Sequence, residues 1–195
     1  MNMDQLDEPG LIALLKQGSE DAFRHLVSIY RQKLFAIAYG ITLDREESLD
    51  IVQEVFLQVH RNIHSFRGAA RLSTWLHRIT VNQCLNWRRK WKRRMKWRHD
   101  SLEEDESVDQ WEPAEDENFP ETLYHRKEIQ KIVREKLARL PEDARAVLVL
   151  KEIEGLSYDE IARVLNIKRG TVSSRLFHAR GKLKASLKKY MDEDN

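Results

Sequence analysis

Apolar residues recur at intervals of three and four along almost the whole chain, the spacing that places side chains on one face of an α-helix. The alternation of apolar and polar residues that marks a half-buried strand is absent from the sequence. Glycine and proline, which interrupt helices, number only 7 and 4 among 195 residues. The sequence therefore predicts an all-α fold, with enough chain for one or two small domains.

Capping residues divide the N-terminal half into four predicted helices. Gly18 ends the first helix, and Ser19 is the expected cap of the second. The third begins near Asp44, and the fourth follows a short loop with Ser73 as its expected cap. The third helix is expected to bury one face, formed by Leu49, Val52, Phe56, Val59 and Ile63.

Charge is distributed in blocks, although the formal net charge is only +2. Residues 88–98 contain eight lysines and arginines and no acid, whereas residues 100–121 contain eleven acids and neither lysine nor arginine. The basic block is typical of a surface that binds nucleic acid. The acidic block has no sustained apolar face, so we interpret residues 99–121 as a flexible linker between domains at 1–98 and 122–195.

Two short helices joined by a tight turn are predicted near the C-terminus. Pro141 suits the first position of the helix that precedes them. Ser157 and Glu160 have the spacing of a capping box, which opens the first helix of the pair. After a connection at residues 166–168, the second helix begins near Arg169. This order predicts a helix-turn-helix.

The second helix of the pair has two different faces when each residue advances roughly 100°. Its apolar face is formed by Val172, Leu176, Ala179 and Leu183. Its outward face carries Ser173, Ser174, Phe177 and His178, with cations at Arg175, Arg180 and Lys182 on its flanks. Small polar groups suit base edges in a major groove, a phenylalanine suits a thymine methyl, and cations suit phosphates. The alternative is a solvated amphipathic helix without a ligand.

The fourth helix has a similar division. One side is predicted to be core and contains Leu76, Thr80, Cys84, Trp87 and Trp91. The other side is a stripe of amides and guanidiniums with an aromatic residue near its start: Trp75, Arg78, Asn82, Asn86, Arg89 and Arg93. Such a mixture suits single-stranded or melting DNA, because exposed aromatic rings stack on unpaired bases. The alternative is a basic solvated helix with a partly buried Trp75.

Two further features are weaker. The loop at residues 65–72 contains Gly68 next to the predicted exposed Trp75, an arrangement that suits a pocket for a flipped base. On the third helix, charged and amide groups lie beside an apolar one, away from the buried face. Taken by itself, that surface is interpreted as solvated. Its residues are Asp50, Gln53, Glu54 and Leu57.

Several classes of site are not favoured. With Cys84 as the single cysteine, neither an intrachain disulfide nor a cysteine-based zinc site is possible, which fits a reducing cytoplasm. His60 and His64 have helical spacing for a metal, but no third ligand is evident, so we predict no metal and no cofactor. The sequence has no long apolar run and an acidic, polar N-terminus, so neither membrane insertion nor a secretory signal is expected.

Two other functional classes compete with a two-part DNA reader. A regulator with a ligand-sensing N-terminal domain requires an apolar pocket and has no need of the arginine–asparagine stripe. A helix-turn-helix recombinase or nuclease requires a nucleophile with clustered arginines or a carboxylate–metal site, usually in an α/β domain. The N-terminal half has neither the strands nor such a cluster.

The motifs together resemble, from end to end, the extracytoplasmic-function (ECF) sigma factors of bacterial RNA polymerase. "DIVQEVFLQVHRNIHSFRG" resembles the region 2 segment that binds core polymerase and melts promoters. "STWLHRITVNQCLNWRR" is similar to the −10 reading helix of that region. "LPEDARAVLVLKEIEGLSYDEIARVLNIKRGTVSSRLFHARGKLK" is similar to region 4, which reads the −35 element. The resemblance implies a non-catalytic initiation subunit that acts in the bacterial cytoplasm.

The resemblance also implies residue roles. The clamp of core polymerase would be bound by Asp50, Gln53, Glu54 and Leu57. The −10 element would be held by Phe66, Arg67, Trp75, Arg78, Asn82, Asn86, Arg89 and Arg93, with one base flipped into the loop pocket. The −35 element would be contacted by Tyr158, Lys168, Arg169, Thr171, Ser173, Ser174, Arg175, Phe177, His178, Arg180 and Lys182.

Partners follow from the same resemblance: the clamp and flap of the large polymerase subunits, promoter DNA, and an anti-sigma factor that is often membrane-anchored. The linker would extend toward the polymerase active-site cleft.

Two positions depart from the family pattern. Lys168 replaces a capping serine or proline, and His178 replaces a common arginine, so the −35 preference is expected to differ.

Overall fold

The computed structural model describes the backbone of residues 6–98 and 120–193 and the side chains of residues 6–93 and 129–188. These ranges form helices and no strand, which confirms the predicted all-α fold. The helices are α1 (Glu8–Lys16), α2 (Glu20–Thr42), α3 (Arg45–Asn62), α4 (Leu72–Arg98), α5 (Pro120–Ala138), α6 (Glu142–Glu152), α7 (Tyr158–Leu165) and α8 (Arg169–Glu193). Of the predicted acidic linker, residues 99–119 lie outside the described residues, whereas residues 120–121 belong to α5.

The predicted cap of α2 is confirmed, and α3 begins beside Asp44 as expected, with Asp44 as its cap. The Ser19 hydroxyl accepts a hydrogen bond from the Ala22 N–H at 3.3 Å. The Asp44 carboxylate accepts one from the Glu47 N–H at 3.0 Å. Each cap satisfies one of the backbone donors that a helix leaves free at its start.

The prediction that Ser73 caps α4 is wrong, because α4 already begins at Leu72. The first N–H of this helix is instead satisfied by a side chain from a distant element: Glu8 Oε1 accepts from the Leu72 N–H at 2.9 Å. Since Glu8 lies in α1, the start of α4 is capped by a tertiary contact rather than by a neighbouring residue.

Helices α1 to α4 form an N-terminal module around one apolar core. On α3 the predicted residues Val52, Phe56 and Val59 are buried, and so is Ile63, in the 3-10 turn that follows the helix. Leu49, which was expected on the same face, is instead 38% exposed. Ser48 is buried in its place and bonds to the hydroxyl of Thr42, so the first turn of α3 packs on α2 through a polar contact.

Helices α5 to α8 form the C-terminal module. The predicted capping box of α7 is confirmed, with Ser157 Oγ accepting from the Glu160 N–H and Glu160 Oε2 accepting from the Ser157 N–H. Asn166 ends α7 in the left-handed conformation at φ 53°, which starts the tight turn to α8. Pro141 is the N-cap of α6 rather than its first helical residue, one position from the prediction.

The two modules contact each other directly, with α6 against α2 and α7 against α4. An ideal Cβ on Gly40 of α2 would lie 2.7 Å from Val149 Cγ2 of α6, so a glycine is needed for this close approach. The sequence predicted the two modules but not their contact.

Candidate nucleic-acid and polymerase interface

The faces of α8 lie as predicted. Val172, Leu176 and Ala179 are at most 1% exposed and Leu183 is half-buried, so this side fastens the helix to α6 and α7. The outward set is exposed and consists of Ser173, Ser174, Phe177, His178, Arg180 and Lys182. Phe177, at 76% exposure, is an unusually exposed phenylalanine. Its ring contacts His178 edge-on at 5.5 Å, so the two rings form one aromatic surface.

Among the described residues, the candidate cations Arg169, Arg175 and Arg180 are paired with acids of the same module. Arg175 Nη2 lies 2.8 Å from Asp143 Oδ2, and Arg180 Nη2 lies 2.6 Å from Glu152 Oε1, both acids being on α6. Arg169 makes a longer pair with Asp159 at 3.4 Å. Because these pairs are at least partly exposed, each contributes little stability and exchanges readily for another anion.

The remaining candidates of this module differ in exposure. Lys168 is exposed, whereas Tyr158 and Thr171 are half-buried. The Lys151 ammonium lies 5.9 Å from the centre of the Tyr158 ring, so the tyrosine sits beside a cation. The Ser174 hydroxyl donates to the Thr171 carbonyl at 3.1 Å and is turned toward its own helix.

The polar stripe of α4 is exposed along its length, at Arg78, Asn82, Asn86, Arg89 and Arg93. Arg89 Nη2 donates to Asn86 Oδ1 at 2.7 Å, which fixes one amide of the stripe with its nitrogen outward. The stripe therefore presents both amide donors and guanidinium groups to solvent, a mixture that suits bases and phosphates together.

The aromatic residues near the start of this stripe are less exposed than the sequence suggested. Phe66 is 7% exposed and belongs to the core, where its ring lies 5.1 Å from that of the half-buried Trp75. The ring of Phe66 is covered in this structure, and its expected role in holding a base stays a prediction. Arg67 and Gly68 remain exposed, and the Phe66 carbonyl accepts from Lys16 Nζ at 2.7 Å. This contact between Lys16 of α1 and the loop before α4 was not predicted from the sequence.

The side of α4 opposite the stripe is core at Leu76, Thr80 and Cys84. Burial raises the pKa of the Cys84 thiol to about 12, so this cysteine stays protonated and unreactive. Further along, Trp91 is 38% exposed, contrary to the prediction that it is core. The Arg88 guanidinium lies 5.0 Å from its ring centre and covers it.

On α3, Asp50, Gln53, Glu54 and Leu57 are exposed together. Leu57 is 43% exposed, and within the part of the chain that the structure describes Glu54 makes a long pair with Arg61 at 3.9 Å. These four residues lie together on one exposed surface of α3, and their contact with core polymerase stays a prediction of the resemblance.

Three residues between the modules were missed by sequence reasoning. His77 is 4% exposed and Arg145 is 1% exposed. Burial, and next Lys33, lower the pKa of His77 to about 4, while Glu160 acts in the opposite direction. Glu142 lies between Arg88 and Lys92. The one sign of this burial in the sequence is that His77 and Arg145 occupy positions that are otherwise apolar in their helices.

Within residues 6–98 and 120–193, no group of three or more potential metal ligands is found. His60, one of the two histidines considered, instead packs edge-on against the ring of Phe23. The same part of the chain has no helix whose length and apolar character would allow it to cross a membrane.

An exposed helix-turn-helix beside a second helix with an arginine–asparagine stripe defines a DNA-recognition protein made of two helical modules. Family models agree with this class. The model of sigma-70 region 2 matches residues 26–94, and that of sigma-70 region 4 matches residues 130–183.

Curated relatives match nearly the whole chain. An ECF RNA polymerase sigma-E factor of Haemophilus influenzae is 38% identical over 178 residues, covering 91% of this chain and 93% of that protein. An RNA polymerase sigma-H factor of Pseudomonas aeruginosa is 33% identical over 191 residues, covering 98% and 99%. The chain therefore belongs to the sigma-70 family, in its ECF group, and is a promoter-recognition subunit of bacterial RNA polymerase.

Solved structures share the fold. CnrH in complex with the cytosolic domain of CnrY has a TM-score of 0.65 and 24% identity, covering 92% of this chain and 96% of that one. RpoE of Bartonella quintana in complex with the anti-sigma factor NepR has a TM-score of 0.66 and 22% identity, covering 85% and 96%.

Proposed function

We propose that the chain directs core polymerase to promoters by using α4 for the −10 element and α8 for the −35 element, without catalysing a reaction itself. The supporting observation is that two separate modules each present an exposed polar helix face bordered by guanidinium groups. Region 2 would include residues 1–98 and region 4 residues 122–195. The site of action would be the bacterial cytoplasm, where the polymerase works.

For the −35 element, the proposed base contacts are Ser173, Ser174, Phe177 and His178. Phosphate contacts are assigned to Tyr158, Lys168, Arg169, Thr171, Arg175, Arg180 and Lys182. Arg175 and Arg180 would exchange their α6 carboxylates for phosphates. Such an exchange replaces one partly solvated ion pair by another and is therefore inexpensive.

For the −10 element, the proposed contacts are Arg67, Trp75, Arg78, Asn82, Asn86, Arg89 and Arg93. Phe66 is assigned a supporting role, because its buried ring backs Trp75 while its loop carries Arg67 and Gly68. A flipped base would have to enter beside Trp75 rather than stack on Phe66.

Core polymerase would be engaged at two places. The clamp would contact Asp50, Gln53, Glu54 and Leu57 on α3. The flap would lie in an apolar groove of about 710 Å³ between α5, α6 and α8, lined in part by Val133, Leu137, Leu148, Ile153 and Leu187. A groove of that character fits the apolar face of an amphipathic helix.

An anti-sigma factor is the proposed regulator. CnrH and the Bartonella RpoE were each solved with a binding partner, and NepR is described as an anti-sigma factor. By analogy, an anti-sigma factor would hold this chain inactive, and the family resemblance implies that such a factor is often membrane-anchored.

The decisive experiment is reconstituted transcription. The purified chain added to core polymerase should start transcripts at a subset of a genomic promoter library that core alone ignores. Absence of any new start site across the library would overturn the proposal.

Within that assay, Glu54→Lys should weaken core binding at least tenfold while leaving binding of α8 to a −35 duplex unchanged. Glu20→Lys, which also reverses an exposed acid, is the matched control and should change neither.

A further inference from the structure

Helix α1 binds the loop before α4 at both of its ends. At one end, the Lys16 ammonium donates to the Phe66 carbonyl at 2.7 Å. At the other end, the Glu8 carboxylate accepts from the Leu72 N–H at 2.9 Å. The five residues between these two bonds include Arg67, a proposed −10 contact. One short helix thus fixes both ends of a segment that the proposed function places against DNA.

The sequence makes α1 a firm support for these two side chains. Asp7 caps the helix by accepting from an N–H of its first turn at 2.9 Å, and Leu11 and Leu15 bury its inner side in the core. Glu8 and Lys16 are eight positions apart, which is about 12 Å along a helix and about 80° around it. Both side chains can therefore reach one loop from a single seated helix.

The two bonds act on backbone orientation rather than on packing. The side chains of Phe66 and Leu72 are buried, so apolar contacts already hold the two ends of the loop. The Phe66 carbonyl, however, belongs to the planar peptide unit that leads into Arg67, and the Leu72 N–H belongs to the unit that follows Arg71. The two α1 side chains thus fix the peptide planes from which the loop departs and into which it returns.

The middle of the loop is exposed to solvent. Gly68 has a left-handed φ of 69°, and a Cβ there would meet nothing within 4 Å. Arg67, Ala69 and Arg71 are exposed as well. Because an exposed middle follows its ends, the α1 bonds determine where Arg67 lies. A loop held in this way before DNA arrives loses less conformational entropy on binding.

The charges of the two α1 side chains suit their places. Each bond has one charged partner, which makes it stronger than a bond between neutral groups. Lys16 is half-buried, so water competes less for its ammonium. The Glu8 carboxylate lies at the N-terminus of α4, where the helix dipole favours a negative charge. Both contacts are therefore suited to order the loop in the free chain.

We propose that Glu8 and Lys16 are positioning residues for −10 recognition, which orient the loop so that Arg67 and the ring of Trp75 meet one defined base. The proposal rests on the proposed function, since it assumes that this loop holds a base of the −10 element. Neither α1 side chain has to touch DNA. Their loss should therefore reduce the discrimination between bases at one −10 position rather than abolish transcription.

Reconstituted transcription with core polymerase tests the proposal, on templates that differ from one active promoter by a single base of the −10 or −35 element. The measured quantity is the ratio of transcript yields between the preferred base and each alternative. Lys16→Met keeps the length of the side chain and removes its donors, and Glu8→Ala removes the acceptor. Each should lower the ratio roughly fivefold, both at the same −10 position, with the −35 ratios unchanged.

Conservative and matched variants separate positioning from stability. Lys16→Arg keeps a donor and Glu8→Gln keeps an acceptor, so both should retain most of the base preference. Glu20→Ala is the control for Glu8→Ala, because Glu20 is also an exposed acid at the first residue of a helix. Lys33→Ala removes an exposed lysine of α2 and is the control for Lys16→Met. A base preference that falls in step with the thermal midpoint across all six variants would overturn the proposal.

The same assay distinguishes failure of this proposal from failure of the proposed function. If the unmodified chain starts no transcripts with core polymerase, the proposed function fails. If it does start them, and Lys16→Met and Glu8→Ala keep its preference at every −10 position, only the positioning role is overturned. For a variant that makes too few transcripts to compare, anisotropy of the full chain with single-stranded −10 oligonucleotides carrying each of the four bases gives the ratio.

Discussion

At the residue scale, Phe177 is the clearest candidate for a contact that serves DNA rather than the fold. Its ring is 76% exposed, so its removal costs the folded chain little. A phenylalanine kept in solvent on the outward face of α8 contributes apolar area to binding only when a partner covers it.

We predict that Phe177→Ala weakens binding to a promoter duplex by about 1 kcal/mol, roughly fivefold, with a thermal midpoint unchanged within error. Fluorescence anisotropy with a −35 duplex selected in the transcription assay provides the measurement. Ile129→Ala, which removes another exposed apolar side chain on α5, is the control and should not change the affinity. Equal affinity of Phe177→Ala and the unmodified chain would remove Phe177 from the interface.

His77 gives the module contact a pH dependence with a definite sign. Its Nε2 lies 3.5 Å from Glu154 Oε2, and Lys33 and Glu160 also act on it. Because its pKa falls from 6.5 to about 4 when it is buried, the neutral form is favoured while the modules are in contact. The contribution of neutral His77 to the stability of the module contact is therefore complete above pH 6.5 and is lost as the pH falls toward 4. Burial raises the pKa of Glu154, and Lys33 offsets part of this rise. The contribution of the Glu154 carboxyl to stability therefore changes with pH in the opposite direction to that of His77.

We predict that the contact between the two modules weakens between pH 6.5 and pH 4 by about 1.4 kcal/mol per pH unit through His77. Fluorescence energy transfer between dyes on Ser28→Cys of α2 and Ala185→Cys of α8, two exposed positions on different modules, measures it. The comparison of the unmodified chain with His77→Gln isolates this histidine from Glu154, and the variant should lose most of the slope. An identical slope in both proteins would show that another group is responsible.

At the element scale, the helix-turn-helix depends on the start of α7. The capping box joins Ser157 and Glu160 by reciprocal bonds of 3.3 and 2.8 Å. The Ser157 backbone N–H and then the Ser157 hydroxyl, which both donate to Glu160 Oε2, lower the pKa of Glu160 by stabilising its ionised form. With only 8 residues, α7 gains little from its own length, so its cap and its packing on α8 define it.

We predict that Ser157→Ala destabilises the fold by about 1 kcal/mol, lowering the thermal midpoint by roughly 2–4 °C for a chain of this size. Ser73→Ala is the matched control. Ser73 occupies a position that resembles a cap in sequence, yet Glu8 binds the first N–H of that helix, so its loss should have little effect. A larger shift for Ser73→Ala than for Ser157→Ala would contradict this assignment of caps.

At the scale of the whole molecule, charge placement matters more than the net charge of +2. The stripe of α4 and the outward face of α8 carry exposed cations. Acids at the ends of α6 pair with Arg88, Arg175 and Arg180, and of these three the Arg88 side chain is only 19% exposed. DNA binding would release counterions from each contacted phosphate, so its affinity depends on salt.

We predict that the logarithm of the affinity for a promoter duplex falls linearly with the logarithm of salt concentration, and that Lys182→Ala reduces the slope by about 1. Anisotropy titrations between low and physiological salt provide the slopes. Arg24→Ala, which removes an exposed cation on α2 that pairs with Glu20 and Asp21, should leave the slope unchanged. A change of slope with Arg24→Ala would place DNA on α2 instead.

Local patterns in the sequence determined the helices, the caps Ser19 and Ser157 and the two faces of α8, because helix periodicity and capping act within a few residues. Contacts between distant residues decided the rest. The ring of Phe66 is buried against Trp75, Leu72 is capped by Glu8, and Val149 fits against Gly40. No local rule predicts these pairs, because each depends on which helices pack together. The docking of the two modules, and with it the burial of His77, therefore belongs to the tertiary structure alone.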